Sequence, residues 1–179
     1  MSHLFVAPTR FRFLPAVLAA FVAVAGVSVP ATSALAVCTD SAGPNVNWRR
    51  CSFESQTLAG VDLSGAMLRD ATFQRATLGQ ATLTGADGYR AKFISARAPG
   101  AKFDGARLIE ADFTRADLTG ASFRDADLRN AKLVGASLAS ADFTGAKLSG
   151  TDFRHADLSG ARWTDGTHIC AESSLGQCN

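Results

Sequence analysis

The chain has 179 residues, 47% of them hydrophobic and 19% charged, with a formal charge of +2 at pH 7. That length suits one domain of ordinary size, and so even a charge balance gives no bulk attraction for nucleic acid or for an acidic membrane surface. The opening segment is not read as fold. Arg10 and Arg12 precede the apolar run 14–29, and small residues at Ala34 and Ala36 follow it. This order is that of a secretory signal peptide, residues 1–36, cleaved after Ala36. The run is short for a full membrane span, so no stable insertion is expected after cleavage. Cys38 follows Val37 rather than a small residue, which departs from the pattern of lipid-modified cysteines. The leader takes 2 of the 18 Lys+Arg and none of the 16 Asp+Glu, so the exported part is neutral, 16 against 16.

All the cysteines, Cys38, Cys51, Cys170 and Cys178, lie beyond the leader. An even number outside the cytosol predicts disulfides, with three possible pairings for four cysteines. Residues 37–50, with Trp48, precede the regular part and are assigned as an N-terminal cap. From Cys51 the chain reads CSFES, QTLAG, VDLSG, AMLRD and continues without a slip to ARWTD, ending at Asp165. That is 23 pentapeptides; the third position is Leu in 12 and Phe in 8, and the first is Ala in 19. Gly88, Ala98 and Trp163 are the exceptions at the third position. A period of five fits neither an α-helix nor a flat strand. Residues 166–179 are assigned as a C-terminal cap.

This run resembles the pentapeptide-repeat family, whose pattern is A-(D/N)-L-x-x. The resemblance covers residues 51–165 and implies an all-β fold, a right-handed quadrilateral parallel β-helix with one pentapeptide per side. Residues twenty apart should then stack. Phe53, Phe73, Phe93, Phe113, Leu133 and Phe153 fall on one side, and Leu63, Leu83, Phe103, Phe123, Phe143 and Trp163 on the opposite one. The other two sides are nearly all Leu. This segregation at period twenty is not contained in the period of five. Charges also alternate at that spacing: Lys92, Asp112, Lys132, Asp152; Arg107, Asp127, Lys147; Asp70, Arg90, Glu110; Arg97 with Asp117; and Asp104 with Arg124. Opposite charges stacked in register favour the register, so these are read chiefly as ladders.

The implied stack is roughly 25–30 Å long at the usual strand spacing. Its two ends cannot share a disulfide, whose Cα atoms lie within about 7 Å. Cys38–Cys51 and Cys170–Cys178 are therefore favoured, one staple per end. Remote cysteine pairs with His155 and His168 do not match zinc spacing, so no metal or other cofactor is expected.

The pattern weakens between Ala86 and Phe103. Gly88 and Ala98 stand where Leu is usual, and Tyr89, Ile94, Pro99 and, one coil on, Ile109 stand at outward positions. Two readings stay open. Tyr89 turns inward to fill the gap at Gly88, with Pro99 shaping a turn, or the four residues form an exposed apolar patch that binds a partner.

No nucleophile, paired carboxylate or phosphate loop stands out, so an enzyme is not expected. The leading function is an exported structural or protein-binding solenoid, secreted or extracytoplasmic in a bacterium, with an extracytoplasmic protein as partner and no nucleic acid. The alternative is a cell-envelope ligand- or glycan-binding protein, for which Tyr89 is the one plausible sugar platform. Characterised cytoplasmic members of the family bind DNA gyrase by resembling DNA. That activity uses an acidic surface, whereas this chain has an export signal, a neutral coil and alternating charges.

Overall fold

The computed structural model describes residues 38–179. The segment 1–36, expected as a leader cleaved after Ala36, lies outside the described residues. From Val46 to Asp165 the backbone repeats one unit: two inward residues flank one that bridges to the next coil, and a two-residue turn follows. Every bridge between coils is parallel and joins residues twenty apart, from Asn47 with Met67 to Asp142 with Arg162; the two antiparallel bridges belong to the C-terminal cap. One coil therefore contains four five-residue segments, and the chain is a β-helix of isolated bridges joined by turns.

The hydrogen bonds explain the period. The third-position amide donates to the coil ahead, as in Phe53 N–H to Thr72 O at 2.7 Å. The second-position amide donates to the coil behind, as in Thr72 N–H to Cys51 O at 2.9 Å. The fifth-position amide also reaches ahead, as in Ser55 N–H to Gln74 O at 2.9 Å. The first-position amide closes a turn, as in Gln56 N–H to Phe53 O at 3.1 Å. That turn puts its third residue at positive φ, as a type II turn does. Non-glycine residues accept this conformation too, for example Arg115 at 59° and Asp125 at 56°.

First and third positions form the core. Ala71, Phe73, Ala76, Leu78, Ala121 and Phe123 are all fully buried. Within columns the Phe rings stack, with centroids 5.0 Å apart for Phe73–Phe93 and 4.7 Å for Phe93–Phe113. Phe103 and Phe123 stack at 5.0 Å on the opposite segment. The two columns meet edge to face across the interior, Phe103 with Phe113 at 5.6 Å and an interplanar angle of 86°. Offset stacks and edge contacts are the favoured arrangements of aromatic quadrupoles. Phe on facing segments, with Leu between them, is thus one interlocked aromatic core.

The coil begins one pentapeptide earlier than the frame counted from Cys51. Asn47 bridges Met67, Trp48 N–H donates to Met67 O at 2.9 Å, and Arg50 has a φ of 59°. Val46–Arg50 is therefore already a segment, with Trp48 at its core position. The Trp48 ring lies 4.1 Å from Phe53, and its indole N–H donates to Asp40 O at 3.2 Å. The sequence hid this unit because Val and Trp replace the usual Ala and Leu. Disulfides join Cys38 to Cys51 and Cys170 to Cys178. Residues 166–179 turn back over the last coil in antiparallel pairing.

Candidate interaction surface

Each outward position has a definite place. Second-position side chains stand mid-segment, and fourth and fifth positions stand at the corners. The fourth-position amide is the one amide of the five with no backbone partner in the coil. Aspartate at the second position supplies it. Asp62, Asp87, Asp112 and Asp117 accept from the amides of Ser64, Tyr89, Thr114 and Thr119. Asp127, Asp142, Asp152 and Asp157 accept in the same way from Arg129, Thr144, Arg154 and Ser159. This is the local capping for which Asp is suited in turns. The Ser159 hydroxyl and amide hold the Asp157 carboxyl below the usual range. Burial raises that of Asp142, but the Thr144 hydroxyl and amide and Arg124 together outweigh it, and the net shift is downward.

The charge ladders are realised only in part. Bridges do stack Lys92 on Asp112 and Asp112 on Lys132. Arg90 lies between Asp70, at 3.6 Å, and Glu110, at 4.0 Å. Elsewhere the carboxylates choose other partners. Asp152 pairs with Arg154 and Asp127 with Arg129, both two residues on, at 2.7 Å. Arg107 pairs with Asp87 at 3.2 Å, not with Asp127, and Arg124 pairs with Asp142 at 2.9 Å. Asp104 accepts from the Arg124 backbone amide at 3.1 Å. A carboxylate already bound to a turn is held close to its own segment, so nearby arginines reach it first.

The residues around the weak coil separate into three places. Tyr89 and Ile109 share one corner column, Ile94 lies on the next corner, and Pro99 on the one after. All are half-buried rather than exposed. Tyr89 does not fill the core. Its hydroxyl donates to Glu110 at 3.3 Å, and the Arg107 guanidinium lies 5.0 Å from its ring centroid. The gap at Gly88 is filled from the next coil instead. A Cβ on Gly88 would lie 2.9 Å from Leu108 Cδ2. Pro99 occupies the second position of the turn closed by Ala101 N–H to Ala98 O at 3.2 Å, where its fixed φ is favourable. The structure thus brings together Tyr89 and Ile109, framed by Arg107 and Glu110, and no continuous patch of the four.

Among the described residues no group of His, Cys, Asp and Glu could hold a metal ion. Sequence reasoning missed two features of this surface. One is the turn-capping role of second-position Asp, whose signal is a Ser, Thr or Arg two residues later. The other is the cap pair Ile169 and Leu175, 47% and 63% exposed.

A stack of five-residue segments with Ala and Leu or Phe inward and Asp on the turns defines a class of repeat protein. The sequence profile of pentapeptide repeats matches residues 47–85, 89–125 and 121–160, and the chain belongs to that family. The profile resumes at Tyr89, just past the core gap at Gly88. No curated protein matches the chain significantly. Among solved structures it is similar to HetL, a pentapeptide repeat protein involved in heterocyst differentiation regulation from the cyanobacterium Nostoc sp. strain PCC 7120. The identity is 34% over 69% of this chain and 62% of HetL, with a TM-score of 0.59. This chain therefore spans less than two thirds of HetL. A pentapeptide repeat protein from the Arabidopsis thaliana thylakoid lumen is 25% identical over 70% of this chain and 85% of its own, with a TM-score of 0.46. QnrB1, a plasmid-mediated fluoroquinolone resistance protein, is 25% identical over 67% of this chain and 70% of its own, with a TM-score of 0.34.

Proposed function

We propose that this chain is an exported, non-enzymatic solenoid that serves as a rigid structural or protein-binding module outside the cytoplasm. Its winding is taken as right-handed and quadrilateral, a reading supported by the twenty-residue register and the turn at every fifth residue. The observation that carries the extracytoplasmic reading is the pair of disulfides, one at each end of the coil, which leaves no free thiol among the described cysteines. Such bonds persist in oxidising compartments and are rare in the cytosol. The leader-like segment 1–36 agrees with this.

Binding rather than catalysis is favoured because the surface carboxylates are engaged in turns and ion pairs. HetL, a regulator by its description, lends weight to a role exercised through association. Tyr89 with Ile109 is the candidate contact for an extracytoplasmic protein. The glycan reading loses its support because the Arg107 guanidinium stacks against the Tyr89 ring, the platform a sugar would need. A DNA-like acidic surface has no counterpart here either, since arginines intervene along the carboxylate columns.

The test is expression of the full chain with its own leader in a bacterial host that exports through such signals. Expected are protein in the envelope or medium, a first residue after Ala36, and no thiol reactive to alkylation without reduction. Cytoplasmic retention with free thiols would overturn the reading. Crosslinking of the exported protein beside a Tyr89→Ser, Ile109→Ser variant then addresses the contact. A partner lost with the variant supports the Tyr89 column, and one retained removes it.

A further inference from the structure

Charge is balanced over the coil as a whole but not around it. One side is built from 46–50 and the segments stacked on it at twenty-residue steps, and the next side from 51–55 and its stack. On these two sides every carboxylate but Asp112 is tied into an ion pair. The cations are not used up. Arg49, Arg50, Lys92, Arg115, Lys132 and Lys147 are exposed and form no ion pair among the described residues. Lys132 and Lys147 act only at a distance, on Asp152 and Asp127, which already hold Arg154 and Arg129.

The other two sides show the reverse. Asp62, Asp104, Asp125 and Asp165 on one, and Asp117 and Asp157 on the other, form no ion pair among the described residues. Only Arg97, Lys102 and Arg162 are left to set against them. The solenoid is thus neutral in sum and polarised across its width. Its cationic sides are the two that meet at the corner of Tyr89 and Ile109. That corner column reads, coil by coil, Arg49, Arg69, Tyr89, Ile109, Arg129.

We propose that the partner segment this corner receives is acidic: an extended stretch of an extracytoplasmic protein that seats an apolar side chain on Tyr89 and Ile109 and sets carboxylates against Arg49, Arg50, Lys92 and Lys132. It rests on the reading of Tyr89 and Ile109 as the contact. Arg69, Arg107 and Arg129 around the apolar pair are already held by Asp87 and Asp127. The unpaired cations are not, and a neutral partner would strip water from them without replacing it. Carboxylates in those places supply the complement and exclude basic partners.

The dimensions suit an extended chain laid along the corner. Coils are about 4.8 Å apart and an extended chain advances about 3.3 Å per residue, so about six residues run from Arg49 to Arg129. A lipid surface fits less well. Four segments close each coil, so adjoining sides turn away from each other and a flat bilayer touches only their corner. Tyr89 and Ile109 are half-buried there, too recessed to insert into one.

Fluorescence anisotropy on the exported, disulfide-bonded protein tests this. The probe is a labelled peptide of about ten residues, a leucine pair flanked by glutamates, beside the same peptide with glutamine for each glutamate. The acidic peptide should bind about tenfold more tightly or better, and salt should erode that advantage. Arg49→Gln, Arg50→Gln, Lys92→Gln and Lys132→Gln together should weaken it about tenfold. Arg97→Gln with Lys102→Gln, on the other sides, should not. The fifth-position turn already accepts glutamine at Gln80, φ 58°, so the coil should keep its melting temperature. Tyr89→Ser with Ile109→Ser separates the two readings. Loss of the acidic peptide in both the cation variant and the Tyr89 variant supports an acidic partner. Loss in the Tyr89 variant alone overturns the acidic partner and keeps the contact. Loss in the cation variant alone overturns the contact, and the seat assigned here with it. An acidic peptide bound no better than its glutamine counterpart overturns the proposal. So does equal or tighter binding to phosphatidylglycerol vesicles with the same loss in the cation variant, which assigns the cationic sides to lipid.

Discussion

At the scale of the residue, second-position Asp matters because five-residue winding leaves one amide per segment without a backbone partner. Asp157 is a clean case, accepting from the Ser159 amide at 3.0 Å and the Ser159 hydroxyl at 2.6 Å. Asp157→Ala should cost about 0.5–1.5 kcal/mol, the usual net worth of such bonds. Asp157→Asn should cost less, since the amide oxygen still accepts. The same contacts fix the pH response. Asp62, Asp127, Asp142, Asp152 and Asp157 all have carboxyl groups held below their ordinary range. A folded value below the unfolded one means the unfolded chain binds more protons in between, so stability rises with pH there. The contribution is complete above the ordinary Asp value of about 3.9. It is lost as pH falls through the depressed folded values. Melting temperatures should therefore be flat near neutrality and drop below about pH 4. Asp157→Asn should make that drop shallower, and an unchanged acid slope would show that this turn carries no linkage.

At the scale of the segment, the informative place is the coil that departs from the pattern. Restoring the usual residue with Gly88→Leu looks like a repair, but Leu108 Cδ2 already occupies the space. Overpacking of this kind costs about 1–3 kcal/mol. Gly88→Leu should lower stability, and Leu108→Ala in the same chain should recover part of the loss. A double-mutant cycle by chemical denaturation measures that coupling. Gly145 differs, because its constraint is backbone. It sits at φ 73°, a left-handed conformation that a Cβ disfavours, and the Asp125 carboxylate would have to swing aside. Gly145→Ala should therefore destabilise by about 1–2 kcal/mol, whereas the already left-handed Arg115 tolerates Gly. The same coil shows what was legible in the sequence. The frame follows from spacing alone, and the stacked columns and facing Phe segments follow once the resemblance to pentapeptide repeats supplies four segments per coil. The fate of Tyr89 did not follow, since the residue that fills a core gap lies one coil away and its rotamer is not encoded in the repeat. The partners of Asp127 and Asp152 were hidden for a similar reason. A ladder argument weighs charges twenty residues apart, while the turn brings Arg129 and Arg154 closer. Trp48 escaped the frame because the end coil tolerates a large side chain that the interior would not.

At the scale of the whole molecule, each coil contacts only its neighbours, so stability is approximately a sum of coil and interface contributions and unfolding starts from the ends. The two disulfides sit at those ends, closing sequence separations of 13 and 8 residues. Loop-closure entropy assigns about 3 kcal/mol to the first and about 2.5 kcal/mol to the second. Equilibrium denaturation should therefore rank Cys38→Ser/Cys51→Ser only slightly below Cys170→Ser/Cys178→Ser, although the structural consequences differ. Cys51 and Cys170 are both buried, but the N-terminal bond ties down a segment beneath Trp48, which is itself part of the core. The C-terminal bond instead holds a cap paired by a few backbone bonds to half a coil. Its loss should free residues 166–179 with little change in the coil. Hydrogen exchange should then quicken at Leu158, Trp163 and Cys170, while Phe113 and Phe123 in the middle keep their protection. Loss of the N-terminal bond should instead quicken exchange at Trp48, Phe53 and Leu58 and leave the cap intact. Uniform quickening along the chain in either variant would mean that the solenoid unfolds as a single cooperative unit, with its ends no weaker than its middle.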